Sequence, residues 1–426
     1  MLLYYSMDKD EEMDKNDHRI LGKELDLFTF SSLVGPGLPL WTPKGTVLRE
    51  ELDKFVWELR NKYGYNRVTI PHITKRELYE TSGHWDKFSD ELFRFTSREG
   101  KEYAMKPMNC PHHTQIFARR PHSYREMPQR YAETTMVYRD EQSGELGGLT
   151  RVLSITQDDS HVFCRTSQIK EEFLKIWDIV DTFYKAFGLA LRVRLSFRDP
   201  KEPQKYLGTK EIWDTAESEL RGIAEERKKE HKTDYFEGLG EAALYGPKLD
   251  FMAKNSAGRE WQVATIQLDM NLPERFDLTC VNEKGEKERI VMIHSAISGS
   301  LERGVAFLIE YYKGAFPLWL APVQVKVIPV RTNHNEYAKK IFEMLKENNI
   351  RAELDDADAN LGSKVRDAKT NKMPYWIVIG DKEIEAGKVT LESRDLPAQA
   401  GTGQLGQMSK EELVSKLVEE IKNKKS

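Results

Sequence analysis

Apolar residues recur with two different periods along this chain, and these periods predict where helices and strands lie. After the turn around Gly45, six apolar residues follow helical spacing: Val47, Leu48, Leu52, Phe55, Val56 and Leu59. This spacing predicts a helix over 46–63 that feeds a strand ending at Pro71. Two further helices are predicted over 168–187 and 210–231, among short alternating runs. This mixture is typical of an α+β domain.

Helices and strands alternate regularly after Pro322. The pattern predicts, in order, a strand over 323–330, a helix over 336–347, a strand over 351–354, a helix over 361–371 and a strand over 375–379. Such a βαβαβ order predicts a smaller, doubly wound α/β domain. We therefore expect three parts: a flexible, polar and acidic arm over 1–20, a large domain over 21–320 and the small domain over 323–426.

Composition, charge and the length of apolar runs exclude several classes of protein. The chain has 65 basic and 69 acidic residues among 426, so its net charge is close to zero. No apolar run is long enough to span a bilayer, and the acidic start does not resemble a signal peptide. The three cysteines, Cys110, Cys164 and Cys280, have no framework spacing, so we expect reduced thiols. The sequence predicts a cytoplasmic protein that does not contact membranes.

Two predicted strands carry unusually many polar residues. On a strand over 155–163, Gln157, Asp159 and His161 share one face, and the other face is not cleanly apolar. We expect this strand to line a polar cavity, although an exposed edge strand would have the same pattern. On a second strand over 261–269, Gln262 points away from Gln267. Both reach one site only if a bulge or the end of the strand turns Gln262.

Four motifs together resemble one family. They are Met105-Lys106-Pro107-Met108-Asn109-Cys110-Pro111, Tyr138-Arg139-Asp140-Glu141, Thr156-Gln157-Asp158-Asp159-Ser160-His161 and His294-Ser295-Ala296-Ile297-Ser298-Gly299-Ser300-Leu301-Glu302-Arg303. In combination they resemble the core of threonyl-tRNA synthetase. The resemblance implies an α+β antiparallel-sheet class II synthetase catalytic domain over 21–320, followed by a smaller α/β anticodon-binding domain over 323–426. P-loop and dinucleotide-binding signatures are absent from the sequence, which suits a class II enzyme.

Cys110, His161 and His294 have the thiolate and imidazole groups that zinc prefers, and three ligands leave one position for a substrate. Their spacing carries no metal motif, and an isolated cysteine is commonly a small buried hydrophobe. The resemblance implies one Zn²⁺ per subunit, which binds the amino and hydroxyl groups of threonine. An apolar pocket hardly separates valine from threonine, whereas a site that requires a hydroxyl ligand rejects valine.

The resemblance also implies which side chains contact the substrates. The threonine pocket is expected to contain Gln157, Asp159, Tyr245, Gln267 and Ser300. ATP, with Mg²⁺, is expected to contact Arg139, Glu141, Arg151, Gln262 and Arg303. Guanidinium groups suit this task because they stabilise charge on phosphates without losing a proton. Alone, an Arg-x-Glu pair would be read as a surface ion pair.

Four residues are expected to take part in catalysis: Arg139, Arg303, Lys248 and His84. Lys248, in Tyr-Gly-Pro-Lys, would lie near the reacting carboxylate and phosphate. His84 would serve the transfer to tRNA as a general base, although a histidine next to a tryptophan is commonly just packed. His112 and His113 depart from the Gly-His that the family more usually has after Cys-Pro.

In the small domain, the resemblance implies that Arg366 and Glu383 contact anticodon bases, since basic groups bind phosphates and a carboxylate reads base edges. By themselves these residues would be read as a solvated helix face. Lys372 and Glu392 stand where the family more often has arginine.

The expected activity is that of a threonine--tRNA ligase, which activates threonine with ATP and transfers it to tRNA(Thr). The family is homodimeric, with the helix over 46–63 in the interface. No counterpart of the family's editing region precedes Met1, so we expect some seryl-tRNA and a role for a separate editing protein. Two alternatives are a synthetase-like tRNA- or mRNA-binding protein without catalysis and a synthetase for serine or proline.

Overall fold

A computed structural model describes residues 14–231, 233–395 and 404–424. These residues form two compact units. The first unit contains Phe30–Pro39 and Leu52–Ala306, and the second contains Asp14–Thr29, Leu40–Glu51 and the chain from Phe307 onward. Residues 1–13 of the predicted arm lie outside the described residues, and a helix begins at His18 within the rest of it. Unlike the predicted domains, the two units are not continuous stretches of chain.

The helices are α1 His18–Glu24, α2 Pro43–Lys62, α3 Arg76–Ser82, α4 His84–Lys87, α5 Cys110–Ala118, α6 Ile169–Lys185, α7 Lys210–His231, α8 Asn271–Arg275, α9 Leu301–Tyr311, α10 Asn335–Glu347, α11 Leu361–Thr370, α12 Asp381–Ala386 and α13 Lys410–Lys422. Short 3-10 helices lie at Tyr124–Glu126, Ser143–Glu145, Thr166–Gln168, Pro203–Lys205 and Thr332–His334.

The strands are β1 Phe28–Thr29, β2 Leu40–Trp41, β3 Asn66–Arg67, β4 Ile73–Lys75, β5 Arg94–Thr96, β6 Glu102–Met105, β7 Gln129–Tyr138, β8 Ser154–Cys164, β9 Arg192–Phe197, β10 Tyr235–Leu239, β11 Lys248–Lys254, β12 Glu260–Asp269, β13 Thr279–Val281, β14 Lys287–Arg289, β15 Val291–Ser300, β16 Val325–Pro329, β17 Ala352–Leu354, β18 Tyr375–Ile379, β19 Val389–Ser393 and β20 Gln404–Met408.

The first unit is built around an eight-stranded sheet in the order β10-β9-β11-β12-β15-β8-β7-β3. Its pairings are antiparallel except at the two edges, where β10 runs parallel to β9 and β3 runs parallel to β7. A three-stranded sheet, β4-β6-β5, and the hairpin β13-β14 complete the unit. This architecture confirms the predicted α+β fold with an antiparallel sheet.

The long helices confirm the predictions from apolar spacing. Of the residues that set the period in α2, Leu48, Leu52, Phe55, Val56 and Leu59 are buried, so the apolar stripe faces a core. The predicted helices over 168–187 and 210–231 appear as α6 and α7. The strand expected to end at Pro71 is shorter, because β3 pairs with β7 only at Asn66 and Arg67.

The second unit contains a five-stranded sheet in the order β17-β16-β18-β19-β20. The first three strands are parallel and α10 and α11 connect them, as the βαβαβ pattern predicts. The last two strands are antiparallel and, with α13, extend the domain beyond the prediction. One face of the sheet packs against α10 and α13 in a core that includes Val325, Val327, Ile341, Leu345, Ile377, Ile379, Leu413 and Leu417. The other face packs against α11 through Ile328, Ala368 and Trp376. Among the described residues, no helix is long and apolar enough to cross a membrane.

Candidate active site

Paired residues on neighbouring strands form two adjacent rows of mostly polar side chains on one face of the large sheet. The first row is Ser196, Lys248, Gln267, His294 and His161. The second row is Arg194, Asp250, Thr265, Ala296, Asp159 and Glu133. Residues directly opposite each other in antiparallel strands share a face, so residues far apart in the sequence meet here.

Three predicted metal ligands come together in this region. His161 on β8 lies directly opposite His294 on β15, and their rings are 4.7 Å apart. Cys110, the first residue of α5, contributes the third ligand atom, and the three atoms all lie within 4.8 Å of one another. All three residues are buried. One thiolate and two imidazoles fit a zinc ion with one position left for a substrate.

Each histidine uses its other ring nitrogen to hold its orientation. His294 Nε2 lies 2.9 Å from Asp269 Oδ2, and His161 Nδ1 lies 2.7 Å from His113 Nδ1. Histidines that ligate metals characteristically have such partners, which fix the tautomer and the ring plane. One nitrogen of each ring therefore remains for a metal.

The electrostatics of the three groups also suit a cation. Burial raises the pKa of the Cys110 thiol well above its usual value, and the nearby Asp159 carboxylate adds to this effect. Burial lowers the pKa of His161, so its imidazole is neutral. A thiolate at Cys110 therefore needs a compensating positive charge, which a bound metal supplies.

The residues predicted for the threonine pocket surround this cluster. Asp159 Oδ2 accepts a hydrogen bond from Asn109 Nδ2 at 3.0 Å, and Asp159 Oδ1 lies 3.8 Å from His161 Nε2. The Tyr245 hydroxyl lies 3.7 Å from Cys110 Sγ. Gln267 pairs with His294, and its buried Nε2 has no hydrogen-bond partner among the described residues. That orphaned donor is available to a ligand.

The remaining two residues of the predicted pocket, Gln157 and Ser300, lie directly opposite each other on β8 and β15. Ser300 Oγ donates a hydrogen bond to Glu302 Oε2 at 3.0 Å. The sheet order also rejects the alternative for β8, which would have made it an exposed edge strand. β8 lies between β15 and β7, and Asp158, Asp159, Ser160 and His161 are buried.

A β-bulge solves the parity problem at Gln262. Phe251 on β11 pairs with Ala264 on β12, whereas the next residue, Met252, pairs with Gln262, so Val263 is the extra residue. Gln262 Nε2 consequently donates to Asp250 Oδ1 at 2.8 Å, and Thr265 Oγ1 donates to the same oxygen at 3.1 Å. The bulge returns Gln262 to the polar face, which is one of the two possibilities that the sequence left open.

The residues predicted for ATP lie in the same unit and are paired with carboxylates or aromatic rings. Arg151 Nε donates to Glu141 Oε2 at 2.8 Å, so these two predicted residues contact each other directly. Arg139 Nε lies 3.9 Å from a carboxylate oxygen of Glu91. The Arg303 guanidinium lies 5.5 Å from the centre of the Trp261 ring.

His84 is fully buried at the start of α4. Its Nδ1 lies 2.7 Å from Ser82 Oγ, its Nε2 lies 3.2 Å from Met108 Sδ, and its ring is 5.8 Å from the ring of Tyr245. Burial lowers the pKa of His84 to about 3, and the nearby His294 contributes to the shift. The imidazole is therefore neutral at physiological pH. Tyr245 contacts both the His84 ring and Cys110 Sγ, so it connects His84 with the metal cluster.

Sequence reasoning missed several buried polar residues that support the site. They are Asn109, His113, Arg194, Ser196, Asp250 and Asp269. A signal for Asp250 was present, because it follows the predicted catalytic Lys248 by two residues and so shares its strand face. The ion pair between Lys248 Nζ and Asp250 Oδ2, at 2.6 Å, follows from that spacing.

The two residues predicted for anticodon contacts differ in their surroundings. Arg366 on α11 is exposed. Glu383 on α12 accepts hydrogen bonds from the Gly380 amide and the Thr390 hydroxyl, both at 3.0 Å, and so stabilises the start of its own helix. Lys372 and Glu392, which stand where the family more often has arginine, also form hydrogen bonds. Lys372 Nζ donates to the Lys313 carbonyl, and Glu392 accepts from Trp376 Nε1.

Two family models match the chain. The tRNA synthetase class II core domain (G, H, P, S and T) matches residues 93–312, and the anticodon binding domain matches residues 324–420. A threonine--tRNA ligase of Deinococcus radiodurans is 48% identical over 415 residues, which cover 97% of this chain and 63% of the relative. The chain thus spans somewhat less than two thirds of the length of this curated relative.

Solved structures give the same result for the fold. The RNA binding domain of threonyl-tRNA synthetase from Cryptosporidium parvum is similar with a TM-score of 0.88 and 36% identity, covering 95% of this chain and 98% of that chain. A putative threonyl-tRNA synthetase from Aeropyrum pernix is similar with a TM-score of 0.84 and 30% identity, covering 96% of both chains.

Proposed function

This chain belongs to the threonyl-tRNA synthetase family of class II aminoacyl-tRNA synthetases, and we propose that it activates threonine with ATP and transfers it to tRNA(Thr). The observation that carries this proposal is the buried Cys110, His161 and His294 cluster with Asp159 on the same sheet face. The cluster explains how a protein selects an amino acid with a hydroxyl group.

Cys110, His161 and His294 would hold one Zn²⁺ per subunit. When bound, the metal would act as a Lewis acid toward the amino and hydroxyl groups of threonine. The Asp159 carboxylate would accept a hydrogen bond from the threonine hydroxyl, and Gln267 Nε2 would donate to the substrate. Gln157, Tyr245 and Ser300 would complete the pocket. Valine has no hydroxyl to satisfy these groups, so the pocket would reject it.

Activation would proceed by attack of a threonine carboxylate oxygen on the α-phosphorus of ATP. The new bond joins that oxygen to the α-phosphate, the bond to the β-phosphate breaks, and pyrophosphate leaves with Mg²⁺. Arg139 would stabilise the α-phosphate and Arg303 the outer phosphates, together with Arg151. Lys248 would neutralise charge near the reacting carboxylate. Glu141 and Gln262 would orient the nucleoside.

In the second step a ribose hydroxyl at the end of tRNA would attack the threonyl carbonyl, and AMP would leave. By the family resemblance, His84 would accept the hydroxyl proton; its imidazole is neutral, and its pKa of about 3 makes it a weak base in the state without substrates. The region over 323–426 would bind the anticodon, with Arg366 and Glu383 as candidate base contacts. The catalytic region over 21–320 would form a homodimer through α2 and β3, as the family resemblance implies.

Aminoacylation of tRNA(Thr) with labelled threonine tests this proposal. We expect charging by the wild-type protein and a loss of about 100-fold or more in kcat for Arg139→Gln, since it removes a donor to the transition state. The control is Arg221→Gln, which removes a guanidinium from an exposed ion pair with Glu237 and should leave charging unchanged. Tight tRNA binding without any charging would instead support a non-catalytic binding protein.

A further inference from the structure

One fully buried carboxylate contacts both Lys248, predicted for catalysis, and Gln262, predicted for ATP binding. Asp250 on β11 has no exposed surface, and five side chains donate hydrogen bonds to it. Its Oδ2 accepts from Arg194 Nη2 at 2.9 Å, Ser196 Oγ at 2.6 Å and Lys248 Nζ at 2.6 Å. Its Oδ1 accepts from Gln262 Nε2 at 2.8 Å and Thr265 Oγ1 at 3.1 Å.

We propose that Asp250 is a positioning residue that fixes Lys248 and Gln262 in the geometry needed for amino-acid activation. The inference rests on the proposed function, which gives these two side chains their roles next to the reacting groups. Asp250 itself would not contact the substrates. It acts by holding two flexible side chains, one on each of its carboxylate oxygens.

Lys248 needs such an anchor because its side chain has four rotatable bonds and an ammonium group without a preferred direction. The ammonium is largely buried, with 16% of the side chain exposed. The other four donors hold the Asp250 carboxylate in place, so its 2.6 Å hydrogen bond with Lys248 fixes the position of Nζ. The position is therefore set before a substrate arrives, which is the condition for an efficient reaction.

Gln262 needs the anchor for a different reason. An amide side chain has a donor end and an acceptor end, and only its neighbours decide which end faces a ligand. Here Nε2 donates to Asp250, and Oε1 accepts from Arg194 Nη2 at 3.3 Å. The bulge at Val263 turns Gln262 toward this carboxylate, so the local strand geometry serves the same contact.

Asp250 is charged in this environment. Burial alone would raise the pKa of the carboxyl group, but Lys248, Ser196 and Arg194 outweigh that effect and keep its pKa below the usual value. A neutral replacement would therefore change the strength of both anchoring contacts while keeping nearly the same shape.

Pyrophosphate exchange with Asp250→Asn and Asp250→Glu tests the inference. Both variants should lose about 100-fold in kcat, the loss expected from about 1 Å of misplacement. Circular dichroism and thermal unfolding establish that each variant is folded. If Asp250→Asn does not fold, Asp250→Glu decides, because it retains the charge and moves the carboxylate by one methylene group.

Arg192→Gln is the control. It removes a guanidinium from an exposed ion pair with Glu260 on the same sheet, without changing Lys248 or Gln262, and should keep kcat close to the wild-type value. A double-mutant cycle gives the second readout. Once Lys248 is replaced in Lys248→Met, adding Asp250→Asn should cost much less than it costs alone, since the two residues act as a unit.

A third readout does not depend on activity. Acetic anhydride should modify Lys248 several-fold faster in Asp250→Asn than in the wild-type protein or in Arg192→Gln, as measured by mass spectrometry of the peptide. Wild-type kcat in both folded Asp250 variants, with additive effects of Lys248→Met, would overturn the inference and leave the proposed function intact. If the wild-type protein shows no exchange, the proposed function fails, and the labelling result alone decides whether Asp250 positions Lys248.

Discussion

The two histidines of the proposed zinc site are supported by different partners, and the carboxylate partner is the easier one to test. Asp269 is fully buried. Its Oδ2 lies 2.9 Å from His294 Nε2, and its Oδ1 accepts hydrogen bonds from the backbone amides of Asn271 and Leu272. It therefore holds the imidazole of His294 in a fixed orientation and raises its basicity as a ligand.

We expect Asp269→Asn to weaken zinc binding by about 10- to 100-fold, the usual effect of removing such a partner. Competition with a chromophoric chelator measures the affinity without any substrate. Asp277→Asn is the control, because that carboxylate is exposed on the surface in an ion pair with Arg289 and should not affect the metal. Equal zinc affinities for Asp269→Asn and the wild-type protein would contradict this account.

His84 gives a prediction about pH. Its pKa is about 3 in the folded protein because of burial and the nearby His294, against 6.5 for an unperturbed histidine. Below pH 6.5 the unfolded chain takes up a proton that the folded chain does not, so stability is lost as the pH falls from 6.5 toward 3. At pH 5 this group costs about 2 kcal/mol of unfolding free energy.

His84→Gln should therefore lose about 2 kcal/mol less stability than the wild-type protein when the pH is lowered from 7 to 5. Urea unfolding at several pH values measures the difference. His231→Gln, which changes an exposed histidine at the end of α7, is the control and should behave as the wild-type protein does. Parallel stability curves for His84→Gln and the wild-type protein would show that burial does not perturb His84.

At the residue scale, the sequence predicted most of the chemical groups and few of their supports. The resemblance pointed to Cys110, His161 and His294, and the structure brings them together. It gave no role to His113 or Asp269, which contact the second ring nitrogens of His161 and His294. Asp269 shares the strand face of Gln267, two residues away, but its contact with His294 depends on the pairing of β12 with β15.

At the scale of elements, α2 is tied to the site strands by a buried guanidinium. Arg60 Nη2 donates to the Asp158 carbonyl at 2.9 Å and the Ser295 carbonyl at 3.3 Å, and lies 3.5 Å from Asp158 Oδ2. Burial raises the pKa of Asp158 to about 6 although Arg60 opposes that shift. These contacts join the helix to β8 and β15 beside Asp159 and His294.

Arg60→Leu should destabilise the first unit by about 3 to 5 kcal/mol, since it leaves Asp158 as a buried carboxylate without its cation. Denaturant unfolding measures the loss. The control is Arg67→Leu, which breaks a solvent-exposed ion pair with Asp53 and should cost about 1 kcal/mol or less. Similar small losses in both variants would mean that the buried guanidinium contributes little to the attachment of α2.

The elements themselves show where sequence periodicity is sufficient. The apolar stripes of α2, α6 and α7 predicted these helices to within a few residues, because burial of one face dominates their energetics. Parity along β12 showed that Gln262 reaches the polar face only through a bulge or the end of the strand, and the pairing with β11 determines that it is a bulge at Val263. The sequence of one strand does not determine how that strand pairs with its neighbour.

At the scale of the whole chain, strand order was the least predictable feature. β8 and β15 are neighbours although more than a hundred residues separate His161 from His294, and β12 lies on the other side of β15. Local periodicity carries no information about such long-range pairing. In the second unit, regular βαβ connections made the parallel strands predictable, whereas the antiparallel β19 and β20 were missed.

Amino-acid-dependent pyrophosphate exchange, before and after removal of zinc, tests whether Cys110, His161 and His294 recognise threonine through a bound metal. We expect exchange with threonine that requires zinc. We also expect weaker exchange with serine, which lacks one methyl group worth about 1 to 3 kcal/mol, and none with valine. Exchange with threonine that survives complete zinc removal, or exchange with valine as strong as with threonine, would contradict the claim that Cys110, His161 and His294 form the site that recognises the hydroxyl group.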